Sequence, residues 1–262
     1  MKRGVEARVV QGTGNEAGKL NNTSDLMSSV ELVYQRTRRD IVSGELAPGS
    51  ALRLHELAAR NGVSMIPVRE ALRLLEAEGF VDILQNKGAR VAPLSLDDMI
   101  DVYRTRIVLE TEALRQSMPL VTPQILAKAR DLNAKLGRQK ERTGFVVYED
   151  HRAFHFTLYK PSGSRWLLRL IASVWDHTER YRRHVATRVT SASTVEEHER
   201  ILSNVERGDT EGAVQALQDH LEGSVGVLTA VFQELTGGQA ADGAKPAITA
   251  SKRRLVQHVD SA

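Results

Sequence analysis

Four of the eight histidines stand where they could share one cation. His151 and His155 are four residues apart, so in a helix their imidazoles leave the same face one turn apart. His198, in Glu196-Glu-His-Glu-Arg-Ile, and His220, in Leu217-Gln-Asp-His-Leu, fall in two further segments of helical periodicity. Three helices of one bundle can bring such side chains to a point, and neutral imidazole is a good ligand for a divalent transition metal such as zinc or nickel. Spacing alone leaves open a chance set of unrelated histidines. His151-Arg-Ala-Phe-His155 has the outline of a metalloprotease helix, but Arg152 stands where the Glu general base belongs. With no Gly-rich phosphate loop, Gly-x-Ser-x-Gly elbow or cysteine nucleophile in the chain, an enzyme is not expected.

A second constellation suits nucleic acid. Over residues 64–91, Ser64 is an N-cap candidate and Pro67 falls in the first helical turn, where its missing N–H costs little. Val68, Ala71, Leu72 and Leu75 form one apolar stripe, while Arg69 and Arg73, four apart, share a different face. Gly79 stops the helix. Phe80–Leu84 and Ala89–Ala92 read as short strands joined by Gln85-Asn86-Lys87-Gly88, a tight-turn sequence. A helix followed by such a hairpin is the layout of a winged helix-turn-helix, with the helix in the major groove and the hairpin tip on the backbone. A generic core piece, with Arg69 in an ion pair to Glu70 or Glu76, is the plain alternative.

The elements that must position these residues fall into two units. Residues 1–28, rich in Gly, Asn, Thr and Ser, read as a disordered arm, and residues 237–262, ending in Lys252-Arg253-Arg254, as a flexible tail. A first folded unit spans 29–93: a helix through Leu32, Val33, Arg36, Ile41 and Val42 that ends at Gly44, a second over Leu54–Arg60 stopped by Asn61-Gly62, and then the helix and hairpin above. The region 94–236 is expected to be all helical. Ser95-Leu-Asp-Asp98 caps a helix to Ser117, Thr122-Pro123 opens one to Arg142, a third covers Phe145–Lys160, and a fourth runs from Arg165 to Thr187. Ser193-Thr-Val-Glu196 opens a fifth, and Asp209 caps the last, ending near Leu235. The fold class is therefore mostly α, a winged helix-turn-helix followed by an antiparallel helical bundle. Arg180, Arg182, Arg183 and Arg188 crowd the end of the fourth helix and read as a solvated face. Phe154, Phe156, Leu158 and Trp175 read as core.

Composition narrows the classes. At 262 residues the chain can hold two domains of ordinary size. Its lack of cysteine excludes disulfides and thiolate metal sites and fits a reducing cytoplasm. No apolar run approaches the roughly 20 residues of a membrane-spanning helix, and no secretory signal is expected. A net charge of +3 is mild, so binding to nucleic acid must come from a local patch.

Asp40-Ile-Val-Ser-Gly44-Glu-Leu-Ala-Pro48-Gly49, Leu57-Ala, Gly62-Val-Ser and Pro67-Val-Arg69-Glu-Ala-Leu72 resemble the GntR regulators, and the helical half resembles the FCD domain of their FadR-type branch in its six-helix form. The resemblance covers roughly 30–235. It implies a homodimeric transcription factor, usually a repressor, that binds a pseudo-palindromic double-stranded DNA operator. It also implies release by a small organic acid. One motif departs from the pattern. The family usually has Arg-Thr between the Ser and Pro of the recognition helix, where this chain has Met65-Ile66. Such an Arg reads guanine by a two-pronged contact; Met cannot, though it can touch a thymine methyl. Arg69 matches the second DNA-contacting Arg, and Arg53, His55, Arg73, Lys87, Gly88 and Arg90 are further candidates for DNA contact.

For the helical half, the resemblance implies a metal held by an Asp and a His four apart and by two later His. His155, His198 and His220 match the three His positions, and His151 stands in place of the Asp, with Asp150 rotated about 100° away. An all-His set would be less negative and favour a softer transition metal. The alternative is a metal-free site whose residues hydrogen-bond the effector. Arg106 matches a position whose Arg points at the bound carboxylate, its plain alternative being an ion pair with Glu110 or Glu112; Tyr103 and Arg104 are further pocket candidates. Two other functions compete: a metal-dependent hydrolase fused to a DNA-binding module, and a DNA-binding protein whose helical half only dimerises.

Overall fold

The structure, a computed structural model, describes residues 16–85, 88–143, 148–185 and 194–235. Its N-terminal part runs α1 (Glu16–Ser43), β1 (Ala51–Leu52), α2 (Leu54–Asn61), α3 (Met65–Ala77), β2 (Val81–Leu84) and β3 (Gly88–Val91). The apolar stripe of α3 does what its spacing implies: Val68, Ala71, Leu72 and Leu75 are buried against Val33, Phe80 and Val91. Gly62 closes α2 in the left-handed conformation, φ 67°, a backbone that glycine adopts without the Cβ penalty, and so turns the chain into α3. Ser64 occupies the N-cap position of α3, but its hydroxyl makes no capping hydrogen bond.

Two boundaries differ from the sequence reading. The first helix begins at Glu16, so residues 16–28 are helical rather than a disordered arm. Periodicity reports only the packed turns, and once those are held, extending a helix upstream costs little. The sheet has three strands, in the order β1-β3-β2, all antiparallel. The extra strand, Ala51–Leu52, is too short for any alternation to be visible; Gly49 N and Ser50 O clip it to Val91 at 3.0 and 2.9 Å. Residues 1–15, Lys87, Arg188, Ser193 and the tail over 237–262 lie outside the described residues.

The second half is α4 (Leu96–Ser117), α5 (Pro123–Thr143), α6 (Tyr148–Tyr159), α7 (Arg165–Val185), α8 (Thr194–Glu206) and α9 (Thr210–Leu235). Ser95 Oγ accepts from Asp98 N at 3.1 Å, and Asp209 Oδ1 accepts from Gly212 N at 2.9 Å, the two caps expected at those helix starts. Met99, Leu114, Leu136, Phe154, Leu158, Ile171, Ile201 and Leu217 form one continuous core. Helix α7 also leans on the N-terminal unit. Arg38 of α1 pairs with Asp176, and His177 stacks on Phe80.

Candidate metal centre and DNA interface

The bundle brings His151 and His155 of α6, His198 of α8 and His220 of α9 together. One ring nitrogen from each lies within 4.8 Å of the others, and all four side chains are buried. The sequence paired two of them by helical spacing; the packing of α6, α8 and α9 supplies the rest.

The outer partners assign the tautomers. His198 Nδ1 donates to Asn133 Oδ1 at 3.1 Å, and Asn133 Nδ2 in turn donates to the Val195 carbonyl at 3.1 Å, which fixes the amide's orientation. His220 Nδ1 donates to Glu197 at 2.7 Å. His155 Nδ1 donates to Tyr159 Oη at 3.0 Å, whose own proton goes to Glu110 at 2.6 Å. In all three rings Nδ1 therefore carries the hydrogen, and Nε2 is left with its lone pair. His198 Nε2 is buried without a partner. This is the arrangement of metal-ligating histidines, oriented and made more basic by an acceptor behind the ring. The residues fit a divalent transition metal.

His151 is turned the other way. Arg182 Nη1 lies 2.7 Å from its Nδ1, and a guanidinium can only donate, so the hydrogen sits on Nε2 and faces His155 Nε2 at 3.2 Å. Full four-histidine ligation would need that proton to move to Nδ1 and Arg182 to turn toward Glu179, whose Oε2 is 3.5 Å from the same Nη1. Burial, followed by neighbouring charges, holds His151, His155 and His198 well below the ordinary histidine range, which keeps them neutral as ligands must be.

Arg106 is buried beside this cluster and already engaged. Its Nε and Nη2 donate to Glu110 and its Nη1 donates to Thr178 Oγ1 at 3.2 Å. The guanidinium also lies 4.1 Å from the Trp175 ring. Of the two readings open for Arg106, the ion pair with Glu110 is present. Tyr103 is buried under the same guanidinium at 5.2 Å. Arg104, expected to line the pocket, is exposed instead: two residues from Arg106, it projects about 200° away around α4.

Sequence reasoning missed Asn133, Glu197, Tyr159 and Arg182, whose residue types carry no signal until tertiary packing aims them; Trp175, read as core, is buried in it and also lies against Arg106. The solvated-face reading of the α7 arginines also gives way. Arg180 is buried and donates to the Ala92 carbonyl, and Arg182 is half-buried against His151. Among the described residues of that set, Arg183 alone fits that reading, exposed and paired with Glu179 at 2.9 Å.

At the N-terminal unit, α3 presents Ser64, Met65, Ile66, Arg69 and Arg73 to solvent. Glu70 is taken by Arg73 at 2.8 Å and Glu76 accepts from Ile83 N at 3.2 Å, so neither pairs with Arg69. Arg53 and His55 are exposed beside Glu56, and Arg53 is paired to it at 2.9 Å. Arg90 forms a cross-strand pair with Asp82 at 3.0 Å, and Gly88 is exposed at the start of β3 with φ 83°.

Residues 30–91 match the family described as bacterial regulatory proteins, gntR family, and residues 101–223 match the FCD domain. BphR, an HTH-type transcriptional regulator of Paraburkholderia xenovorans LB400, is 37% identical over 213 residues, covering 78% of this chain and 87% of its own. The chain belongs to the GntR family of transcriptional regulators. GlaR, an HTH-type transcriptional repressor of Escherichia coli K12, is 29% identical over 72% of this chain and 90% of its own. Among solved structures, a GntR regulator from Rhodococcus sp. RHA1 superposes with a TM-score of 0.65 at 25% identity, covering 78% of this chain and 98% of that one. Escherichia coli McbR/YncC shares the fold at a TM-score of 0.68 and 22% identity, with the same coverage of 78% and 98%. These relatives are regulators, not enzymes. Among the described residues no helix is long and apolar enough to cross a membrane.

Proposed function

We propose that this GntR regulator is a cytoplasmic, homodimeric repressor whose helical domain senses a small organic acid through a divalent metal, zinc or nickel. Its two domains divide near residue 93. The observation that carries this reading is the convergence of three histidines, His155, His198 and His220, each with Nδ1 held from behind and Nε2 left as a lone pair. Three neutral ligands leave a bound metal positively charged and coordinatively open, which suits a carboxylate. Arg106 serves by holding Glu110, which holds Tyr159 and thereby His155; the effector's remaining charge is met by Arg182.

DNA reading rests on Arg69, Ser64 and the exposed first turn of α3, with Arg53, His55, Gly88 and Arg90 near the backbone. Two copies would read the two halves of a pseudo-palindrome about one helical turn, roughly 34 Å, apart. Trp166 and Leu170, one turn apart on α7 and both exposed, offer a second copy an apolar stripe.

Coupling between the two functions runs through α7. Trp175, Thr178 and Arg182 touch the cluster and Arg106, while Asp176, His177 and Arg180, on intervening positions, touch Arg38, Phe80 and Ala92. A ligand that moves Arg182 biases a helix that also holds the reader, shifting the spacing of the half-sites.

The test is a thermal-shift panel of small carboxylates on chelator-stripped protein, with and without zinc or nickel. An acid at about 100 times its Kd adds roughly 2.7 kcal/mol. Stabilisation that appears only with metal supports the sensor. Stabilisation indifferent to metal overturns the metal and keeps an organic-acid sensor.

A further inference from the structure

The first turn of α3 exposes two large apolar side chains that the fold does not use. Met65 is 49% exposed and Ile66 62% exposed, because Pro67, Val68, Ala71 and Leu72 occupy the core-facing side of the same turns. At 100° per residue, taking Met65 as zero, Arg69 falls at about 40°, Arg73 at 80° and Ile66 at 100°. The two apolar residues thus flank a single strip of surface with both arginines inside it, and they stand at the helix's leading end. Leu74, also exposed, falls at about 180°, outside this strip and eight residues beyond Ile66 along the helix.

The leading end of a recognition helix is the part that reaches base edges. In the major groove, the one apolar feature that distinguishes base pairs is the C5-methyl of thymine. Neither Met65 nor Ile66 can donate or accept to a base edge in the way Arg, Asn or Gln does. Each can lie against a methyl group, and water expelled from both surfaces favours that contact. Arg69, unpaired by Glu70 or Glu76, is free for the two-pronged contact to a guanine.

We propose that Met65 and Ile66 are specificity-determining residues that select thymines by their C5-methyl groups, beside the base pair read by Arg69. Each operator half-site then carries one or two obligatory A·T pairs next to a G·C pair. The inference rests on the DNA-reading function proposed above and goes beyond it by naming the bases.

The experiment has two stages, both with the full chain. Selection from a random duplex library yields the operator. Each thymine is then replaced singly by uracil, which removes the methyl group and leaves base pairing intact. At one or two thymines per half-site, affinity is expected to fall about fourfold, the partition of one buried methyl-sized group. The variants Met65→Ala and Ile66→Ala should each bind the thymine operator more weakly and lose sensitivity to uracil at one thymine. An operator whose affinity stays within about twofold for uracil at every thymine overturns the inference and leaves DNA reading intact. A library that yields no preferred sequence overturns both.

Discussion

The imidazole of His177 lies flat on the ring of Phe80, with centroids 4.2 Å apart and planes 13° from parallel, and its Nε2 donates to the Glu78 carbonyl at 2.8 Å. Phe80 belongs to the core of the DNA reader and His177 to α7 of the sensor. Gly79 lies beside this contact at φ 79°, the left-handed backbone that calls for glycine there; a Cβ would meet His177 Cε1 at 3.6 Å, an ordinary contact that would not displace the stack. Asp176, one residue earlier, takes Arg38 from α1 and Tyr148 from the start of α6, the helix that carries His151 and His155. The sensor helix and the reader are thus joined by a ring stack, a carbonyl hydrogen bond and a shared carboxylate.

Removing the stack should therefore separate the two functions. His177→Ala is expected to retain metal binding and operator affinity while reducing the effect of metal or effector on DNA affinity. Coupling energies of this kind run to about 1–3 kcal/mol. Operator titrations with and without zinc check it, and a variant with its full metal response would exclude this contact as the route.

The metal centre should tolerate loss of one histidine and not of another. His198→Ala removes a ligand whose Nε2 already points its lone pair into the cluster, so metal is expected to be lost. His151→Ala removes the ring that Arg182 holds in the opposite tautomer, and metal should remain, weakened by no more than about 100-fold. Equilibrium dialysis with zinc and nickel reads both. Equal loss in the two variants would show that His151 is a full ligand.

The orienting acceptors should matter nearly as much. Asn133→Ala leaves His198 without the partner that fixes its tautomer, and a drop of about 10–100-fold in metal affinity is expected, with little change in helicity. Wild-type affinity in this variant would mean that packing against Phe154, 4.0 Å from the His198 ring, suffices to hold it.

Stability of the metal-stripped protein should fall as pH drops. His151, His155 and His198 have folded pKa values lowered by burial, whereas in the unfolded chain they titrate near about 6.5. Below that pH the unfolded state binds more protons, so these groups favour folding above about pH 6.5 and oppose it increasingly below. The slope is up to roughly 1.4 kcal/mol per pH unit for each histidine. Denaturation midpoints measured from pH 8 to pH 5 check the trend, and His198→Gln should flatten it. A flat profile in the wild type would contradict the burial of neutral rings.

On the DNA face, Arg69→Ala is expected to cost more than about 1 kcal/mol in specific binding and to relax discrimination at one base pair. Arg73→Ala should cost less, because Arg73 is already paired with Glu70. Titration of both variants against the selected operator and against single-base variants of it separates the two roles.

The parts of this protein legible in its sequence are those governed by neighbours along the chain. The α3 stripe of Val68, Ala71, Leu72 and Leu75 follows from helical period, as do the Ser95 and Asp209 caps and the pairing of His151 with His155. So does the succession of helices that makes the second half a bundle. Local spacing could say that His198 and His220 lie on helices; it could not say that they meet His155, because that depends on how α6, α8 and α9 pack.

Tertiary structure alone decided three things. It gave His151 the opposite tautomer to its three companions, with Nε2–H toward His155, by setting Arg182 against its Nδ1, 31 residues along the chain. It set Thr178 and Trp175 of α7 against the Arg106 guanidinium, and it drew Arg180 out of an expected solvated helix end onto the Ala92 carbonyl at the edge of the DNA reader. The physical reason is common to all three. The direction of a long charged side chain is set by which opposite charge, acceptor or ring the fold brings within reach once water is excluded, and those partners come from distant elements that no local periodicity records.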